Sequence, residues 1–92
     1  MRVVSRVSLR LRGRVQGVGF RVFVYREALA LGLAGRVRNQ PDGSVEAEGE
    51  GARETLERWV AAIAAGPPGA RVDDVSVEWS EGVSRQRGFV IV

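Results

Sequence analysis

The sequence contains no cysteine, no histidine and no lysine. Without cysteine it can form no disulfide, no thiolate nucleophile and no Cys-ligated metal site. Without histidine it lacks the commonest general base and the commonest metal ligand. The GxxxxGK[ST] phosphate loop is excluded because it needs a lysine. Carboxylates could still hold a hard cation, but Asp and Glu are scattered along the chain, so neither a metal nor a cofactor is expected. No apolar run approaches the length that spans a bilayer. The opening MRVVSRVSLRLRG alternates charged and apolar residues and has no continuous apolar core of the kind a leader carries. A cytoplasmic location is the expectation.

What is present points to one small globular unit. The 92 residues allow a single domain, 1–92, and the 45% hydrophobic and 27% charged shares suit one ordinary core. All 14 cationic side chains are arginine against 11 carboxylates, a net charge of +3. That balance favours anionic partners: phosphates, nucleic acid or acidic surfaces.

In SRVSLRLRG, Val7, Leu9 and Leu11 alternate with Ser8, Arg10 and Arg12, which is a half-buried strand. Residues 13–19 read as a loop. Phe20, Phe23, Val24, Ala28 and Leu31 then recur at helical spacing, and Gly32 suits the position just past a helix end. AGRVRNQ and SVEAEGE flank QPDG, a tight turn, and form a hairpin. Leu56, Trp59, Val60 and Ile63 make the apolar stripe of a second helix, which GPPG ends. RVDDVSVEWS is a strand with Val75, Val77 and Trp79 on one face, and GFVIV is a short last strand. This order predicts an α+β fold, a ferredoxin-like βαββαβ sandwich. Its antiparallel sheet would carry two helices on one face and a short extra C-terminal strand. Trp59 and Trp79 are both expected in the core. Arg10, Arg12, Arg36 and Arg38 would share the open sheet face with Glu46, Glu48 and Glu78 as cross-strand ion pairs.

The stretch GRVQGVGFR, Gly13 to Arg21, turns from the first strand into the first helix. A glycine-rich turn there leaves backbone N–H groups without carbonyl partners, at the positive end of a helix. That is a ready anion site. Arg21, in the first helical turn, can clasp the same anion with its guanidinium fork. A dinucleotide GxGxxG loop would need a different glycine spacing and a parallel sheet.

With GRVRNQPDGSVE further on, this stretch resembles the acylphosphatase family. Gly13, Val15, Gln16, Gly17, Val18, Phe20 and Arg21 match its G-x-V-Q-G-V-x-F-R loop. Gly35, Val37, Asn39, Asp42, Gly43 and Val45 match its G-x-V-x-N-x-x-D-G-x-V hairpin. One departure is Arg36, where the family often has an aromatic residue. Its parity is opposite to that of Asn39, so any effect is expected on the open sheet face.

The resemblance implies metal-independent hydrolysis of the carboxyl–phosphate bond of an acyl phosphate, such as acetyl or carbamoyl phosphate. The products would be a carboxylate and inorganic phosphate. It implies that the backbone of Gln16, Gly17, Val18, Gly19, Phe20 and Arg21 cradles the phosphoryl group, with Arg21 as the clamp. Asn39, the only asparagine, would hold the attacking water, for which its amide has both a donor and an acceptor. A carboxylate leaves readily, and phosphoryl transfer needs positioning and charge neutralisation more than covalent chemistry, which a chain without His, Cys or Lys can supply. The expected partners are a small acyl phosphate and inorganic phosphate as product and inhibitor, with no nucleic acid and no membrane, and the protein as a monomer. Three other readings remain open at this point. One is an RNA-binding ferredoxin-like module, for which the basic balance and RGFVIV speak. That signature, however, lies on the last strand, and SVEAEGE has no aromatic to stack a base. Another is a domain that binds an anion without hydrolysing it. The last is a counterpart of similar domains fused to larger carbamoyl-transferring maturation proteins.

Overall fold

In the computed structural model, which describes residues 2–92, the alternation around Leu9 becomes a long strand, β1 (Val3–Arg14). It leads through residues 15–19 into helix α1 (Phe20–Ala30). The hairpin follows as β2 (Ala34–Asn39) and β3 (Val45–Gly51), then helix α2 (Arg53–Ala65), β4 (Arg71–Val83) and the three-residue β5 (Phe89–Ile91). The turn of the hairpin is closed by a bond from Gly43 N–H to Gln40 O at 3.1 Å.

One sheet holds all five strands in the order β4-β1-β3-β2-β5. Val7, Leu9 and Leu11 of β1, Val37 of β2, and Val45 and Ala47 of β3 turn to the helix side. There they meet Phe20, Val24 and Ala28 of α1 and Leu56, Trp59 and Ile63 of α2 in one core. Trp59 is fully buried, and its indole N–H donates to Val24 O at 3.2 Å, so the ring's one polar atom is satisfied. Phe89 of β5 meets that ring edge-on at 5.7 Å.

The sheet is mixed, where the strand patterns led us to expect an antiparallel one. β5 pairs parallel with β2, Gly35 opposite Phe89 and Val37 opposite Ile91. The reason is topological. β4 runs against β1, and it ends where β1 and β2 begin. Residues 84–88 then cross that end of the sheet, and the chain re-enters beside β2 travelling in the same direction. Trp79 also differs from expectation. It lies on edge strand β4, half-buried, with the Arg53 guanidinium carbon 3.6 Å from the centre of its ring.

On the open face the expected ion pairs form around Glu46. It meets Arg10 at 2.9 Å and Arg38 at 3.3 Å. Hydrogen bonding from Arg10 holds its carboxyl below the usual glutamate range. Arg36 is exposed on this face, opposite Glu48.

Candidate active site

Two concavities matter for function. The larger, about 420 Å³, lies on the open sheet face between Arg10, Arg12, Glu46, Ser76 and Glu78, where charges of both signs are already paired or neighbouring. The smaller, about 110 Å³, lies at the other end of the sheet from residues 84–88 and is lined by Val15, Gly17, Gly19, Phe20, Arg21, Val22 and Asn39. The chemistry gathers in the smaller one.

Its wall is the turn between β1 and α1. Val15 is buried and plugs the loop into the core. Gly17 and Gly19 both have φ of +74°, the left-handed region, and a Cβ on either would meet nothing within 4 Å. Glycine is therefore required here for its dihedral angle and not for space. Left-handed glycines on either side of Val18 are the kind of backbone from which anion-binding nests are built. Among the described residues, no protein acceptor takes a hydrogen bond from the backbone N–H groups of residues 16–21.

Gly19 is also the N-cap of α1, and it offers no side chain to the first turn. That turn has no acidic residue and carries Arg21 instead. A cation beside a positive helix end is unfavourable by itself and becomes favourable once an anion lies between them. Arg21 is half-buried, and its Nη1 donates to Val92 O, just past β5, at 3.1 Å.

Asn39 closes the cavity from the last position of β2. It has the parity of Val37 and so points to the helix side, opposite to Arg36. Its Oδ1 is buried and is the one such side-chain atom without a partner among the described residues. An amide oxygen removed from bulk water and left unpaired is costly.

The loop and the hairpin turn are tied together beneath the cavity. Gln16 Nε2 donates to Gln40 O at 2.8 Å and to Ser44 O at 2.9 Å. Ser44, itself buried, donates its hydroxyl and its N–H to Asp42 Oδ1 at 2.6 and 2.9 Å. Those two bonds, with Arg12 and Arg10 nearby, hold the Asp42 carboxyl below the usual aspartate range.

The cavity thus brings together Gly17, Gly19, Phe20, Arg21 and Asn39 of the residues singled out from sequence. Phe20 contributes through its backbone, since its ring is in the core. Gln16 and Val18 are not in the lining. Gln16 spends its side chain on the hairpin turn, and Val18 packs against the core. Val22, 41% exposed, and the backbone oxygen of Val92 had no signal in the sequence.

On a ferredoxin-like frame, a glycine-rich loop at a helix start, one arginine and one asparagine line a single small cavity. The family model for acylphosphatase matches residues 7–91. The chain is 50% identical over 85 residues to the acylphosphatase of Salinibacter ruber, covering 92% of this chain and 90% of that one. It superposes on the crystal structure of acylphosphatase from Bacillus subtilis with a TM-score of 0.92 and 42% identity, covering 96% of this chain and 98% of that one. The crystal structure of T. kodakarensis HypF also contains a similar fold. There the TM-score is 0.83 and the identity 32%, over 96% of this chain but 12% of that longer one. The chain belongs to the acylphosphatase family, and it is an acylphosphatase enzyme, a hydrolase.

Proposed function

We propose that the cavity between the β1–α1 loop and Asn39 is the place where an acyl phosphate is hydrolysed. The observation that carries this reading is that Asn39, whose Oδ1 is buried without a partner, lines one small cavity together with Gly17, Gly19 and Arg21. The N–H groups of Gln16, Gly17, Val18, Gly19, Phe20 and Arg21 cradle the phosphoryl oxygens. The Arg21 guanidinium neutralises the charge that develops on them. The Asn39 side-chain amide holds the attacking water and sets it in line with the bond that breaks. The water oxygen bonds to phosphorus while the bond from phosphorus to the acyl oxygen opens and the carboxylate leaves with its electron pair. Among the described residues no carboxylate lines the cavity, so the water's proton passes to a phosphoryl oxygen and leaves with inorganic phosphate.

A small acyl group, as in acetyl or carbamoyl phosphate, suits a cavity of about 110 Å³ with one charged residue. Inorganic phosphate fits the same cradle and acts as product inhibitor. The protein works as a monomer, as one domain over residues 1–92 and in the cytoplasm. Among the described residues no helix is long and apolar enough to cross a membrane. The alternative of an RNA-binding module has less support. β3, which would be its reading strand, is acidic, and Phe89 of RGFVIV is buried.

The test is hydrolysis of acetyl phosphate in metal-free buffer, with inorganic phosphate as competitor, for the native protein and Asn39→Ala. Turnover by the native protein and its collapse in Asn39→Ala, with the inhibition constant for phosphate nearly unchanged, is the expected result. Equal loss of turnover and phosphate binding would instead make Asn39 a binding or folding residue. Salt-sensitive RNA binding without turnover would favour the alternative.

A further inference from the structure

At the end of the sheet away from the cavity, a second anion is held, and it belongs to the protein. Glu50, the penultimate residue of β3, is 3% exposed. Its carboxylate accepts from Arg6 Nε at 3.1 Å and Nη2 at 2.9 Å, both on Oε2. It also accepts from the Ser84 hydroxyl at 3.1 Å and from the N–H groups of Arg85 and Gln86, each at 3.0 Å. Arg6 Nη2 reaches on to Val83 O at 2.8 Å. Every one of these donors except Arg6 lies in residues 84–88, the strap that carries the chain from β4 across the sheet end to β5. Gly35 N–H then meets Gly88 O at 2.9 Å, where the strap gives way to β5.

β5 runs from that strap to the cavity. Its far end is fixed by Val92 N–H on Val37 O at 2.9 Å, and Val92 O receives Arg21 Nη1. Beyond Phe89 little burial sets the strand's position along β2, since Val90, Ile91 and Val92 are all exposed. A slip of one residue would carry Val92 O about 3.3 Å, out of reach of the guanidinium. We propose that Glu50 is a positioning residue for the reaction: by clamping the strap it sets the register of β5, and so the place of Arg21. This rests on the reading of Arg21 as the phosphate clamp.

The test is a cycle of variants assayed for kcat/KM with acetyl phosphate and for inhibition by inorganic phosphate, each shown folded by circular dichroism at the assay temperature. Glu50→Gln weakens the clamp but keeps an acceptor, and Ser84→Ala removes one donor without unpairing Arg6. Glu50→Gln is expected to lower kcat/KM about tenfold, and Ser84→Ala about twofold, as for a misplacement well under 1 Å. Both losses should accompany weaker phosphate inhibition. In an Arg21→Lys background, where the fork is already gone, Glu50→Gln should cost no more than about twofold and Ser84→Ala should cost nothing measurable. Unchanged kinetics in both folded variants would overturn the proposal. So would equal losses in the two backgrounds, which would mean that Glu50 acts on something other than Arg21. If Glu50→Gln does not fold, Ser84→Ala decides. Full activity of Arg21→Lys alone would instead overturn the reading of Arg21.

Discussion

The two ends of the sheet treat an irregular stretch of backbone in opposite ways. At one end, residues 84–86 give two N–H groups and a hydroxyl to the Glu50 carboxylate, and Arg6 completes the shell. At the other, the N–H groups of residues 16–21 have no protein acceptor among the described residues, and Arg21 stands beside them. The ingredients match: successive amides, an arginine and a carboxylate-sized or phosphate-sized space. The difference is who brings the oxyanion. Where the chain supplies it, the result is a clamp. Where it does not, the result is the proposed binding site.

Deleting the internal oxyanion should have the largest effect. Glu50→Ala leaves Arg6 and the strap amides without their acceptor. It is expected to destabilise the fold by about 3–5 kcal/mol, read from denaturant midpoints at constant slope. Arg21→Ala strips the cation from the open cradle. It should cost at least about 10²–10³ in turnover of acetyl phosphate, roughly 3–4 kcal/mol, with the denaturant midpoint unchanged or raised. Near-native turnover by the folded variant would remove Arg21 from the mechanism. A gentler contrast is acid. Burial would push the Glu50 carboxyl up, but the Gln86 and Arg85 N–H groups, Arg6 and Ser84 outweigh it and hold it below its ordinary value of 4.5. A depressed carboxyl adds stability that is complete above that ordinary value and is lost as pH falls through the folded one. Thermal midpoints should therefore drop below about pH 4.5, and less so in Glu50→Gln. An identical acid dependence in the two proteins would show that the clamp is not the group titrating.

Much of this architecture is readable from the sequence. Period-two runs around Leu9 and Val45, and period-3.6 stripes through Val24 and Trp59, give strands and helices with their buried faces. GRVQGVGFR and Asn39 identify the cavity because their chemistry is local: dihedral freedom, a helix start and a strand end. What escapes is what depends on distant parts of the chain. Glu50 continues the alternation of Glu46 and Glu48, and nothing in its neighbours along the chain marks it as buried. Only a strap more than thirty residues on buries it. Gln16 looks like a cradle residue, yet its side chain answers to carbonyls of the hairpin turn. The direction of β5 is likewise invisible, because GFVIV is apolar whichever way it pairs. Trp79 carries a core pattern on an edge strand, where no second neighbour completes its cover.

The helix that begins at Gly19 with an arginine in its first turn and no acid to balance it has one more consequence. With phosphate in the proposed cradle, folding and occupancy are thermodynamically linked. Phosphate at a hundred times its dissociation constant would add roughly 2.7 kcal/mol to the folded state. Choice of buffer is then no neutral matter. On this reading a melting curve recorded in phosphate and one recorded in a bulky amine buffer describe two different species, and the gap between their midpoints titrates the proposed cradle.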